Sequence, residues 1–173
     1  MIGKDFKPQR GEVYLADLNP RKGSVQSGVR PVVVLQNNII NGVFNTTIVA
    51  ALSSSESALK AKDNPSNVFI DKGCGIRKDS VVKLTQTITI DKAYFKCKVP
   101  ITKLSGVYMD KIEKAIKFTL NMGEKCKKCG NKLEDKETVC RKCNELVKNE
   151  CIKCGSSLNL EWVYCPICGR RYV

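Results

Sequence analysis

Eight of the ten cysteines of this 173-residue chain lie in its last third, in four Cys-x-x-Cys pairs. The pairs begin at Cys126, Cys140, Cys151 and Cys165, and the second two repeat the first two after 25 residues. A Cys-x-x-Cys turn presents two sulfur ligands to one ion, so each half offers the four thiolates of a tetrahedral Zn²⁺ site. The cysteines therefore divide the chain into a metal-folded tail and a separate N-terminal domain.

The redox environment decides between zinc and disulfide bonds for such pairs. The first ten residues are polar and no apolar run approaches about 18 residues, so we expect a cytoplasmic protein without a membrane span. Thiols stay reduced there, which favours two structural Zn²⁺ ions over the disulfide framework that a secreted protein would form. The expected ligands are Cys126, Cys129, Cys140 and Cys143 for one ion and Cys151, Cys154, Cys165 and Cys168 for the other. A crossed pairing of the four turns satisfies the same spacing.

The residue after each cysteine pair supports this interpretation. Gly130, Gly155 and Gly169 follow three of the pairs and Asn144 follows the fourth. A metal-binding turn of this kind needs a left-handed residue there, which Gly and then Asn adopt at least cost. All four positions of each ion are filled by protein sulfur, so the sites are predicted to be structural and closed to substrate.

The positive charge of the chain is concentrated outside the tail. The formal net charge is +13, of which residues 1–122 carry +9 and residues 123–173 carry +4. Eight thiolates on two Zn²⁺ add −4, so the metal-loaded tail is close to neutral. A basic domain favours a polyanion such as nucleic acid, and a solvated lysine-rich surface is the alternative.

The chain contains no histidine. This excludes histidine general acid–base catalysis, Ser-His-Asp triads and histidine metal ligands. Cys74 and Cys97 lie outside the four pairs, and we interpret them as packing or surface residues and not as nucleophiles.

Short apolar stretches with polar turns between them predict a mainly β domain. The predicted strands are residues 12–18, 32–35, 46–52, 67–71 and 80–86, whereas residues 37–45 are rich in turn formers and residues 56–65 read as a mobile loop. One helix is predicted after them, with Asp110 as its N-cap, Glu113 completing a capping box and Gly123 as its stop. Its predicted apolar face includes Leu120. The boundaries follow as 1–122 for the first domain and 123–173 for two zinc ribbons, at 126–143 and 151–168.

A series of motifs in the first domain closely resembles the MazF/PemK toxin family. The matching stretches are residues 10–20 (RGEVYLADLNP), 23–32 (GSVQSGVRPV), 33–37 (VVLQN), 47–53 (TIVAALS), 79–82, 84–86 and 89–91, followed by the helix from Met109. The resemblance covers residues 9–122 and leaves out the tail.

The resemblance implies an SH3-like β-barrel with a C-terminal helix. It also implies the toxin of a type II toxin–antitoxin pair: a homodimeric endoribonuclease that cuts single-stranded RNA at short sequences without a catalytic metal, and that is bound by a cognate antitoxin. The catalytic arginine of the family falls on Arg30, and its catalytic hydroxyl, normally Thr, falls on Ser53. Ser24, Gln26 and Gln86 fall on positions implied to bind RNA.

These residue types suit metal-free RNA cleavage. A guanidinium offers paired donors to the charge that grows on phosphoryl oxygens, and a hydroxyl at a strand end adds one more donor. Two positions depart from the family pattern: Val25 stands where Glu is frequent, and Ile88 stands where relatives can carry Arg.

Other functions are compatible with the same sequence. A MazF-like barrel that has lost activity would be a non-catalytic nucleic-acid- or protein-binding module, and the tail would be an adaptor if the function lay in the zinc ribbons. Trp162, Tyr164, Arg170, Arg171 and Tyr172 form a stacking and phosphate-binding patch on one interpretation. On the other, which we favour, Trp162 covers the second zinc site.

Overall fold

The computed structural model describes residues 6–19, 23, 25–123, 125–133, 137, 139–145, 147, 151, 153–156 and 163–171. The chain forms two compact units, Met1–Asn121 and Met122–Val173. Within the described residues, no helix has both the length and the apolar character that a membrane crossing requires.

Six antiparallel strands form a single curled sheet in the first unit. They are β1 (Glu12–Asp17), β2 (Val29–Val34), β3 (Thr46–Ser53), β4 (Asn67–Ile70), β5 (Ser80–Asp91) and β6 (Thr102–Lys103). Their order in the sheet is β4-β5-β3-β2-β1-β6, so β3 and β2 occupy its centre. The mainly β architecture with a C-terminal helix confirms the predicted fold class.

Two apolar clusters lie on the two faces of the sheet because successive strand residues point to opposite sides. Val33 belongs to the first cluster, whereas its neighbours Val32 and Val34 belong to the second. The first cluster also receives Ile112 and Ala115 from the C-terminal helix. The central strand is therefore apolar on both faces, which explains its unbroken run of valines.

The longest strand, β5, bends where its pairing with β3 changes register. Ala50 pairs with Thr87, but Leu52, only two residues later, pairs with Val82. Residues 83–86 of β5 stand against Ala51 alone in β3, so β5 carries three extra residues there, although Lys83 stays paired with Asn67 of β4. A bulge of this kind bends the strand and re-aims its side chains. Gln86 lies in this bulge, directly before Thr87, where the pairing with β3 resumes.

Two helices occupy segments that the sequence did not predict as helical. Helix α1 (Asn38–Val43) lies in the predicted turn region, and α2 (Glu56–Lys60) lies in the predicted mobile loop, so both predictions were wrong. Each is started by a side-chain cap: Asn37 accepts from Ile39 N–H, and Ser55 accepts from Ala58 N–H. A polar cap of this type satisfies an amide that a short helix otherwise leaves unpaired.

The C-terminal helix α3 (Gly106–Thr119) begins earlier than predicted. Its N-cap position is Ser105, and Asp110 lies inside the helix, so the prediction of Asp110 as cap was wrong. The early turn forms because Tyr108 and Met109 pack against the first apolar cluster. Glu113 is ion-paired with Arg10 at 2.9 Å instead of completing a capping box.

The end of α3 also differs from the prediction. The helix stops at Thr119, and Asn121 takes the left-handed conformation (φ 52°) expected of Gly123. Leu120, predicted to face the core, is 59% exposed because the helix has ended before it.

Candidate active site and zinc centres

Arg30 and Ser53 come from neighbouring central strands. The pairing of β2 with β3 sets Val32 opposite Ala51, Val33 opposite Ala50 and Val34 opposite Val49. Continuing this register by two residues sets Arg30 opposite Ser53. Opposed residues of an antiparallel pair have Cα atoms about 5 Å apart and side chains on the same face. By this register the two residues predicted to carry the chemistry occupy facing positions on neighbouring strands, although 22 residues separate them in the chain.

Two glutamines hold the Arg30 side chain. Arg30 Nη1 donates a hydrogen bond to Gln26 Oε1, and the Gln26 backbone N–H donates to Gln86 Oε1 at 3.0 Å. The bulge of β5, the loop before β2 and the guanidinium are therefore connected in series. We call Gln26 and Gln86 the glutamine clamp. The structure brings these two predicted site residues to Arg30.

The guanidinium has unused hydrogen-bonding capacity. Arg30 Nε is buried and has no hydrogen-bond partner within the part of the chain that the structure describes. A buried donor without a partner is costly, and such groups persist mainly where a ligand supplies the missing acceptor. The arrangement can bind an anionic oxygen at Arg30.

The loop before β2 is anchored close to Arg30. Gly28 has φ +81°, a conformation that favours glycine. Its N–H donates to Asn19 Oδ1 at 3.0 Å, and its carbonyl accepts from Leu18 N–H at 3.1 Å. These bonds fix the end of the loop to the strand before it, so Arg30 starts from a fixed backbone.

Ser53 is the last residue of β3 and is only 8% exposed. Its Oγ lies 3.1 Å from Ser55 Oγ, at the start of α2. The sequence does not predict a role for Ser55, because the polar composition of residues 56–65 favours a loop after it. The signal for it was the polar run Ser53–Ser57 ahead of Ala58, a pattern typical of a helix N-cap.

The remaining predicted site positions are distributed as follows. Ser24 lies outside the described residues. Val25 is exposed in the loop, 43% accessible. Ile88 packs, partly buried, against the second apolar cluster, so its side chain has a packing role. Cys74 packs against the first cluster and Cys97 is exposed, as predicted.

The eight paired cysteines form two clusters in the second unit. Each cluster contains four consecutive cysteines, at 126, 129, 140 and 143 and at 151, 154, 165 and 168, with all sulfur atoms within 4.8 Å of one another. Cys126 and Cys143 sulfurs are 3.5 Å apart, and Cys129 and Cys140 sulfurs 3.6 Å. A Zn–S bond of about 2.3 Å in a tetrahedron places sulfurs roughly 3.8 Å apart, so both clusters fit zinc. The grouping is sequential and not crossed.

All four turns of these clusters have the same backbone geometry. Gly130, Asn144, Gly155 and Gly169 have φ of 70°, 55°, 69° and 70°, which confirms the predicted left-handed positions. Each donates its N–H to the carbonyl of the first cysteine of its pair, at 2.7–2.9 Å. Both halves therefore use one repeated turn to aim two sulfurs at a common point. Trp162 and Tyr172 of the proposed stacking patch lie outside the described residues.

Each of the two units matches a known protein family. Residues 9–120 match the profile of the PemK-like, MazF-like toxins of type II toxin–antitoxin systems. The chain is 45% identical over 113 residues to Endoribonuclease EndoA of Bacillus subtilis (strain 168), covering 65% of this chain and 93% of that relative. The chain belongs to the PemK/MazF toxin family. Within this PemK/MazF protein, residues 126–169 match the double zinc ribbon profile, so the second unit is a double zinc ribbon with structural zinc.

Solved structures support the same fold. MazF from Deinococcus radiodurans superposes with a TM-score of 0.57 at 22% identity, covering 68% of this PemK/MazF chain and 100% of that chain. An endoribonuclease from a mycobacterial species, solved in complex with its cognate antitoxin, gives a TM-score of 0.55 at 20% identity, covering 68% and 98%. At these identities the likeness establishes the fold of the first unit.

Proposed function

We propose that this protein is a toxin that cleaves single-stranded RNA, including mRNA, at specific sequences and without a catalytic metal. The observation that carries the proposal is the hydrogen bond by which Gln26 orients Arg30, whose position the register of β2 with β3 sets across from that of Ser53. Membership of the PemK/MazF family and the likeness to an endoribonuclease at 45% identity support it.

In the proposed reaction the ribose 2′-OH attacks the adjacent phosphorus. The new P–O2′ bond closes a cyclic phosphate, the P–O5′ bond breaks, and one proton passes from the 2′-oxygen to the departing 5′-oxygen through water. Negative charge grows on the non-bridging phosphoryl oxygens. Arg30 stabilises that charge with its guanidinium donors, and Ser53 donates one further hydrogen bond.

The glutamine clamp has two roles in this proposal. Gln26 holds Arg30 through its side-chain oxygen, and Gln86 holds Gln26 through its backbone. Gln26 and Gln86, with Ser24, are also assigned to RNA binding. A guanidinium that is already oriented loses little entropy when the phosphate arrives.

The zinc ribbons are assigned two structural Zn²⁺ ions. Each ion would be held by four cysteine sulfurs, and zinc would supply folding free energy to a unit whose described residues include few buried apolar side chains. With four protein ligands there is no open position for water or RNA, so no step of cleavage passes through the metal.

Two protein partners belong to the proposal. A cognate antitoxin is supported by family membership and by the mycobacterial structural neighbour solved with its antitoxin. A homodimer is supported by exposed apolar side chains on and after α1, among them Ile39, Val43 and Phe44. A cytoplasmic location is also part of the proposal, because cysteine clusters of this kind stay reduced and available to zinc in a reducing compartment.

The test is cleavage of a long single-stranded RNA by the purified full-length protein, with and without EDTA, with mapped fragment ends. We expect the wild type to make discrete cuts that EDTA does not prevent. In the Arg30→Ala variant the rate of cleavage should fall about 10²- to 10³-fold. Arg77→Ala, which removes an exposed arginine of the same unit, is the matched control and should cut like the wild type. Equal cutting by both variants would exclude Arg30 from the chemistry.

A second candidate function is RNA binding without cleavage. It is motivated by Val25, an exposed valine in the loop where relatives frequently have Glu, and by Ile88, which packs instead of reaching toward RNA. In that case RNA would bind with a steep salt dependence, and no new fragment ends would form.

A further inference from the structure

Three serine hydroxyls lead from the proposed active site to the surface of the first unit. Ser53 Oγ lies 3.1 Å from Ser55 Oγ, which lies 3.2 Å from Ser57 Oγ. Ser53 is buried, whereas Ser55 and Ser57 are exposed. We call these residues the serine chain.

The direction of hydrogen bonding along the serine chain is restricted. A hydroxyl donates one proton and accepts through two lone pairs. Ser55 Oγ already accepts from Ala58 N–H at 3.3 Å, as the N-cap of α2. Ser55 Oγ then donates its proton to one of the two neighbours, Ser53 or Ser57, and accepts from the other with its second lone pair. Two arrangements satisfy these distances: the protons point from Ser57 through Ser55 to Ser53, or in the reverse direction.

Bound phosphate distinguishes the two arrangements. In the reverse direction the Ser53 hydroxyl donates its hydrogen bond to Ser55 Oγ, so Ser53 has no proton left to donate to the substrate. In the forward direction Ser53 accepts from Ser55, and its own proton is free for a phosphoryl oxygen. An anion next to Ser53 selects the forward direction, because a donor that itself accepts a hydrogen bond is polarised toward the charge.

Ser53 needs such a partner more than a threonine would. A threonine at this position would have its χ1 restricted by the β-methyl group, whereas serine rotates more freely. We propose that Ser55 is a positioning residue for RNA cleavage: it donates to Ser53 Oγ and so directs the Ser53 O–H toward the phosphate, with Ser57 completing the chain outside it. This inference rests on the proposed function and adds to it a residue outside the motifs that identified the family.

The experiment separates the hydroxyl of Ser55 from its capping role. Ser55→Gly removes the hydroxyl without adding charge, and glycine is itself among the residues preferred at an N-cap. Ser55→Thr keeps both the hydroxyl and the cap. Ser54→Gly is the matched control, since Ser54 is the adjacent exposed serine and lies outside the serine chain. Ser53→Ala supplies the background for a double-mutant cycle.

We expect Ser55→Gly to lower kcat for RNA cleavage roughly 3- to 10-fold, the loss of about one hydrogen bond, with little change in KM. Ser55→Thr should restore kcat to within about twofold, and Ser54→Gly should match the wild type. In the Ser53→Ala background Ser55→Gly should have no further effect, because the group it positions is absent.

Two results would overturn the inference. One is equal kcat for Ser55→Gly and Ser54→Gly; the other is an undiminished effect of Ser55→Gly in the Ser53→Ala background, which identifies a structural role. Failure of the proposed function looks different, since the wild type itself would then make no EDTA-resistant cuts, and the inference would fail with it.

Discussion

Gln86 provides a test of whether Arg30 must be held in place for catalysis. Its Oε1 accepts the Gln26 backbone N–H at 3.0 Å, and Gln26 in turn accepts from Arg30. Gln86→Met keeps the length of the side chain but removes every hydrogen-bonding group. The Gln26 amide then loses its partner, and the loop no longer holds the guanidinium in one orientation.

The expected effect can be bounded from the bonds that are lost. One neutral, partly buried hydrogen bond contributes about 0.5–1.5 kcal/mol, which corresponds to a roughly 2- to 12-fold loss in kcat/KM. Arg30→Ala removes the charged donors themselves and should cost about 10²- to 10³-fold. The Gln86→Met variant should therefore keep a kcat/KM at least about ten times that of the Arg30→Ala variant.

The assay is the initial rate of cleavage of one single-stranded RNA substrate at subsaturating concentration, with denaturant unfolding of each variant to confirm equal stability. Thr85→Val is the matched control: it exchanges a polar for an apolar side chain in the same bulge, at an exposed position. Activity equal to this control would show that the clamp has no part in catalysis. A loss as large as that of Arg30→Ala would show instead that the RNA contact assigned to Gln86, and not its bond to the loop, dominates its contribution.

Three further predictions concern stability. Removing zinc with a strong chelator should unfold the second unit, while the first unit keeps its sheet and its cleavage activity. Metal content, amide hydrogen exchange and the RNA cleavage assay measure these three effects. Loss of RNA cleavage would assign the ribbons a catalytic role. The Tyr108 O–H and the Gly73 N–H both donate to the Asp71 carboxylate and lower its pKa, with Tyr108 the larger cause. The ionised carboxylate of Asp71 therefore stabilises the fold fully above about pH 4, and this stabilisation is lost as the pH falls through the lowered pKa of the folded state. Asp71→Asn should remove that acid-dependent loss in denaturant unfolding measured against pH, and an unchanged slope would contradict the assignment. Ile70→Ala, at a fully buried core position, should cost about 2–5 kcal/mol of unfolding free energy, against less than about 0.5 for Val99→Ala at an exposed position.

Local chemistry made part of this protein predictable. The four cysteine pairs specify their metal and its closed coordination because both ligands of a pair lie in one tight turn. Gly130 and Asn144 were predictable as left-handed for the same reason. The valine run of β2 indicated a strand buried on both faces, and the motifs around Arg30 indicated the family.

Helix boundaries were predicted less well. α2 was read as a loop because its composition is polar, but Ser55 caps it and Ala58 is buried against the sheet. α3 begins before Asp110 because packing of Tyr108 and Met109 on the apolar core stabilises its first turn. In both cases tertiary contacts outweighed local propensity, which amounts to less than about 1 kcal/mol per residue.

The sequence by itself determined which groups are available: the thiolates of the cysteine pairs, the guanidinium of Arg30, the hydroxyl of Ser53 and no imidazole. Only the tertiary structure decided how these groups meet. The register of β2 with β3 sets the position of Arg30 across from that of Ser53, and Gln86 bonds to the loop from the stretch of β5 where the pairing shifts. Register and bulges depend on pairings between distant strands, and a one-residue slip would turn each side chain to the other face of the sheet.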